Sequence, residues 1–262
     1  MRHGEHDAIA TEVRSWYRKA HPETGYTAER TWFGYFRGNT QAPFHAATVT
    51  SLDAGQVPRF AEAVRDHFGA VSVTIQVADE AITDDLDAAL VAHGFERGAT
   101  TTYLVHVGDF PDVTEPPAYA FERVGADGLE EFSRVKLQGF ASSEDDPAPD
   151  DMEREIAFRK AELGDPNGFA IGRIDGEPAG ITAWYGGGDA LIFLVATRVP
   201  FRSMGVASAG IRRVLDDELA NGSRSVLING DVDDHPVDIY RRLGFTDEVY
   251  RERRYTLDLT TG

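Results

Sequence analysis

The segment Leu191–Gly210, LIFLVATRVPFRSMGVASAG, restricts what this chain can become more than any other. It opens with the apolar run Leu191–Ala196, which has the length and composition of a buried strand. A short basic loop follows, Thr197–Met204. Gly205, Val206, Ala207, Ser208, Ala209 and Gly210 then lead into Ile211, Val214, Leu215 and Leu219, apolar at helical spacing. The order is strand, loop, helix N-terminus. Such a terminus exposes unpaired backbone N–H groups and the positive end of the helix dipole, which together suit a phosphate. Small residues let a ligand approach the backbone, and Arg202 adds a fixed charge at the rim. A Gly-containing turn by itself reads as an ordinary strand-to-helix connection. The dinucleotide pattern G-x-G-x-x-G and the pattern G-x-x-x-x-G-K-[ST] are both absent from this segment.

The 262 residues exceed one average domain, so two are expected. A hydrophobic content of 42% with 27% charged residues describes a soluble globular protein with ample core. The net charge of −18 argues against general affinity for nucleic acid or an anionic membrane, because phosphates would be repelled. The chain has no cysteine, which excludes disulfides, a thiol nucleophile and a Cys zinc site. Its histidines show no metal-binding pair, so no metal is expected. Residues 1–20 are charged throughout and do not read as a signal peptide, and no apolar run is long enough to span a membrane. Cytoplasm is the expected compartment.

Periodicity predicts helices over Glu5–Ala20, Val57–Phe68 and Ile82–His93, and strands over Thr31–Phe36, Phe44–Ser51, Val71–Val77 and Thr100–Val107. PDVTEPP, Pro111–Pro117, reads as a linker, since its prolines oppose both helix and central strand. Beyond it the predicted order from Tyr119 is β-α-α-β-β-β-α-β-α-β, with an acidic loop, Ala141–Asp151, between the first two helices. The predicted domains are 1–110 and 119–262, joined by 111–118.

Arg202-x-x-Gly205-x-Ala207 after a strand ending Val195-Ala196-Thr197 resembles the pyrophosphate loop (R/Q-x-x-G-x-G/A) of the GNAT N-acetyltransferase superfamily, with Ala207 at the last glycine position. Asp238-Ile239-Tyr240-Arg241-Arg242-Leu243-Gly244-Phe245 resembles the signature that closes the family's penultimate helix, and the element order from Tyr119 to Leu259 is that of a whole GNAT domain. The resemblance implies an α/β (α+β) fold with a mixed central sheet. It implies acetyl-CoA as co-substrate and a small-molecule or peptide amine as acceptor. The pantetheine would lie along the backbone of Leu194, Val195, Ala196 and Thr197. The backbone of Ser203, Met204, Gly205, Val206, Ala207 and Ser208 would hold the pyrophosphate, with Arg202 beside it. Tyr240 matches the general acid that protonates the departing sulfur; a packing tyrosine on an amphipathic helix is the plainer alternative. Asp231 and Asp189 are the candidates for the base, each also readable as a turn residue. Asp233 replaces the family's usual asparagine. The acidic loop borders the acceptor side, where it could attract a cationic amine or simply be solvated.

The N-terminal part repeats the second half of this pattern. Asp84–Phe95 aligns with Asp234–Phe245, both ending in Gly-Phe, and Thr31–Phe68 follows strand, strand, helix as Ala179–Leu219 does. Where the second copy has Arg202 to Gly205, the first has Ser51 to Pro58, without arginine and with Asp53 where a phosphate would lie. The chain therefore reads as two GNAT-like domains in tandem, the first degenerate and without cofactor. A non-catalytic acyl-CoA-binding protein that keeps the fold is the alternative.

Overall fold

The computed structural model describes residues 26–39, 44–164, 167–233 and 235–260. The helix expected over Glu5–Ala20 lies outside them. The first elements are strands β1 (Tyr26–Arg30), β2 (Gly34–Asn39) and β3 (Phe44–Val49), helix α1 (Val57–Phe68), β4 (Ser72–Ala78), α2 (Asp84–Ala92) and β5 (Glu96–His106). There follow β6 (Tyr119–Arg123), α3 (Leu129–Ala141), α4 (Pro149–Glu162), β7 (Gly168–Ile174), β8 (Glu177–Tyr185) and β9 (Asp189–Thr197). The last are α5 (Val206–Ala220), β10 (Ser225–Asp231), α6 (His235–Arg242) and β11 (Phe245–Asp258).

Contacts divide the chain into two compact units, and the division is not the linear one expected at 111–118. The first unit takes residues up to 103 together with 230–237 and 248 onward; the second takes 104–229 and 238–247. Most of the terminal strand β11 thus belongs to the first unit, not to a domain running 119–262. The reason is pairing. Glu252 to Asp258 lie antiparallel to Ala78 to Ser72 of β4. Alternation marks a strand in sequence, but says nothing of the edge on which it hydrogen-bonds.

In the first unit β1, β2 and β3 run antiparallel, β3 crosses through α1 to the parallel strand β4, and β11 lies on the far side of β4. Val73, Ile75 and Val77 alternate along β4 toward a core that also holds Val57, Phe60, Leu86 and Leu90. Phe33 joins this core edge-to-face with Phe36 at 5.1 Å and Phe60 at 4.7 Å. The strand expected over Thr31–Phe36 is instead broken by a turn. The Thr31 N–H donates to the Gly34 carbonyl, and Thr31 Oγ1 accepts from the Gly34 N–H. Gly34 is required there: a Cβ would lie 2.0 Å from the Thr48 carbonyl oxygen.

The second unit repeats that order: β6, β7, β8 and β9 antiparallel, then a crossover through α5 to β10, parallel to β9. Phe132 and Val135 of α3 pack on Phe169, Ile171, Ile181 and Ala183. The opposite face carries α5, where Gly210 packs so closely that a Cβ would meet Thr182 Oγ1 at 2.5 Å. The buried Trp184 donates its Nε1–H to Glu218 of α5 at 2.8 Å, fixing helix against sheet.

Candidate functional site

The ladder between β9 and β10 is short. It pairs Asp189, Ala190, Leu191 and Ile192 with Ser225, Val226, Leu227 and Ile228, and goes no further, although β9 continues to Thr197. Across β8, the register passes from Trp184↔Ile192 to Ala183↔Leu194, so Phe193 is an extra residue, a β-bulge. Bulge and ladder end therefore fall at the same place. Beyond it, among the described residues, Phe193–Thr197 have no ladder partner on the β10 side.

The free stretch leads into the loop and α5. Ser203 (φ 62°) and Gly205 (φ 87°) are both left-handed, and the Met204 N–H between them donates to the Phe201 carbonyl at 3.4 Å. Gly205 is the N-cap of α5 and supplies no side-chain cap, so the first-turn amides of Val206, Ala207 and Ser208 keep their anion-binding capacity. In the first unit the parallel ladder runs to the last residue of β3, Val49↔Val77. The 3-10 turn leading into α1 carries a capping box between Asp53 and Gln56, with the Asp53 N–H donating to Gln56 Oε1 at 3.0 Å, while Gln56, the N-cap of α1, like Gly205 supplies no side-chain cap to its helix.

Arg202 does not lean over the loop. Its guanidinium donates to the carbonyl of Gly139 at 2.8 Å, to Ser142 Oγ at 2.9 Å and to the Thr197 carbonyl at 3.3 Å. It satisfies a carbonyl in the last turn of α3 and latches that helix end to the end of β9. Tyr240 lies on α6, 7% exposed. Asp231, the last residue of β10, groups with the first unit, where it accepts from Thr101 Oγ1 at 2.9 Å and pairs with Arg254. Asp189 is buried and accepts from Ser225 Oγ at 2.7 Å, with Arg224 beside it; it anchors the starts of β9 and β10. Asp233 is exposed.

The acidic loop is partly neutralised by arginines of its own unit. Glu144 pairs with Arg198, Asp146 with Arg134 at 2.6 Å, and Asp151 with Arg154, while Asp145 accepts from Ser143 Oγ at 3.0 Å. Pro149 opens α4 inside the stretch expected to be loop, and Asp150 and Asp151 fall in its first turn, complementing the helix dipole. No group of residues suited to a metal ion occurs among the described residues. Nor does any described helix have the length and apolarity to cross a membrane.

No protein-family model matches the chain, and no curated protein matches its sequence. Solved structures do. A GCN5-related N-acetyltransferase from Kribbella flavida is 20% identical over 95% of this chain and 95% of that one, with a TM-score of 0.65. A tandem GNAT protein from the clavulanic acid biosynthesis pathway is 17% identical over 97% and 88%, with a TM-score of 0.58. A GCN5-related N-acetyltransferase from Sphaerobacter thermophilus is 19% identical over 79% and 67%, also at 0.58. The chain has the fold of the GCN5-related N-acetyltransferases.

Proposed function

We propose that the second unit is a cytoplasmic N-acetyltransferase that moves an acetyl group from acetyl-CoA to a primary amine, and that the first unit is a degenerate copy without a cofactor site. The carrying observation is the coincidence, within the second unit, of the β9–β10 ladder end, the Phe193 bulge and an uncapped helix N-terminus. The backbone of Leu194, Val195, Ala196 and Thr197 pairs with the pantetheine amides as a strand would. The amides of Ser203, Met204, Gly205, Val206, Ala207 and Ser208 hold the pyrophosphate, and Arg202 keeps the loop in place through α3. Tyr240 gives a proton to the departing sulfur, a role open to a phenol that is protonated at neutral pH. The ladder that runs to the end of β3 and the Asp53 capping box support the reading of the first unit.

Ala207→Glu tests the site. A carboxylate at the second position of α5 favours the helix through its dipole but repels a pyrophosphate. The apo protein should melt at or slightly above the wild-type Tm, while the upward shift produced by acetyl-CoA, a ligand bound only to the native state, disappears. A full shift in this variant would remove the α5 terminus from the cofactor site.

A further inference from the structure

We propose that Tyr185 and Glu162 form the proton-accepting pair for the amine, Tyr185 meeting the attacking nitrogen and Glu162 receiving the proton through it. The proposal rests on the reading of β9 as the thioester strand. Tyr185, the last residue of β8, stacks on Phe193 with ring centroids 4.2 Å apart and 16° between planes. Phe193 is the bulge residue at which β9 parts from β10, so the phenol stands beside the place where the thioester carbonyl would meet the free backbone. The Tyr185 hydroxyl donates to Glu162 Oε1 at 2.8 Å.

Glu162 belongs to a set of charges under α4. Arg159 pairs with Glu162 and donates from Nε to Glu155 Oε1 at 2.6 Å; Lys136 of α3 reaches Glu155 Oε2 at 2.6 Å. These two cations and two carboxylates balance in charge, and the Tyr185 hydroxyl adds to them a hydrogen bond without a charge. Burial raises the Glu162 carboxyl above the usual carboxylate range, with Glu155 adding to the rise, against the lowering pull of Arg159, of the Tyr185 hydrogen bond and of Lys136. Burial thus brings it closer to the range in which a base serves near neutrality.

The step closes chemically. As the nitrogen lone pair forms the N–C bond, the carbonyl π pair moves onto oxygen, one nitrogen proton passes to the Tyr185 oxygen and the phenolic proton passes to Glu162. The carbonyl then re-forms and the C–S bond breaks with its electron pair on sulfur, which takes a proton from Tyr240. Glu162 later returns its proton to solvent and Tyr240 takes one from solvent, which restores both groups.

The test uses the full chain, acetyl-CoA and n-butylamine, a small amine that needs no recognition pocket, and follows release of the CoA thiol. Tyr185→Phe leaves all four charges in place, so its folding is not at issue; Glu162→Gln is the companion. Both should retain the acetyl-CoA shift in Tm and lose roughly 10²-fold in thiol release, and Glu162→Gln should also lose the acidic limb of the kcat/KM profile. Full rate and an unaltered pH profile in Tyr185→Phe would overturn the proposal. So would a wild-type protein that binds acetyl-CoA yet releases no thiol above the buffer rate. Absence of any acetyl-CoA shift in the wild type would instead bring down the reading of β9 on which the pair depends.

Discussion

Tyr240 is a packed side chain before it is anything else: at 7% exposure, its ring is part of the structure. Its proposed chemistry must therefore be tested without touching the ring. Tyr240→Phe keeps the packing and removes the proton, so acetyl-CoA affinity should change little while kcat falls by roughly 10²-fold. Turnover measured where chemistry limits the rate checks this, and undiminished kcat would return Tyr240 to a purely packing role. Truncation to Ala would not discriminate, because the cavity alone disturbs the helix. Residues differ in how legible they were. Gly205 could be read from sequence because a left-handed turn into a helix favours glycine. Arg202 could not be read fully: its charge was visible, but its partners Gly139 and Ser142 are about sixty positions away in sequence. The same holds for Tyr185 and Glu162, which no local pattern links and which only the packing of α4 on the sheet brings together.

At the level of elements, what sequence could show was periodicity, and what it could not show was pairing. The expected helix Val57–Phe68 forms over those very residues because Pro58 opens it, Gly69 closes it and Phe60, Ala61 and Val64 face one core. The strand Leu191–Ala196 is present within β9, yet nothing in its composition announces that its partner β10 leaves after four pairs or that Phe193 bulges. The placement of α3 against this strand is set by Gly139, where a Cβ would lie 2.9 Å from the Ala196 Cβ and 3.4 Å from the Thr197 backbone. Gly139→Val should force α3 away from the end of β9 and cost about 1–3 kcal/mol by overpacking, measured by chemical denaturation. Gly55→Ala is the matched control: a Cβ there meets nothing within 4 Å, so stability should hold or rise slightly. Equal stability of the two variants would show that α3 has room to spare over β9.

For the whole molecule, the titrations that ion pairing and burial perturb should set the pH dependence of stability, and they act in different windows. Asp87, held by Arg97 to a pKa of about 2, adds stability above the ordinary aspartate range that is lost as pH falls toward 2. Burial pushes the His106 pKa below its usual value, so its contribution is present above about 6.5 and is lost as pH falls through the lowered pKa. Glu252 acts in the opposite sense. It is 2% exposed on β11, with Oε1 accepting from Gln76 Nε2 at 3.0 Å and from the Tyr103 hydroxyl at 3.4 Å, while Oε2 is buried without a partner. Burial raises its pKa to about 7, against the lowering pull of Arg37 and Arg254. The folded state therefore holds this proton more tightly than the unfolded chain, whose value is near 4.5. Stability from this group is complete below about 4.5, declines as pH rises, and is gone above about 7, an effect of order 3 kcal/mol at 1.36 kcal/mol per unit. Glu252→Gln, which mimics the protonated acid, should remove that slope. Its stability relative to wild type, followed by denaturant unfolding from pH 4.5 to 8, should rise with pH and level off above 7. A difference that stays constant across this range would mean that Glu252 is ionised in the fold at all these pH values and that its orphan oxygen is solvated after all.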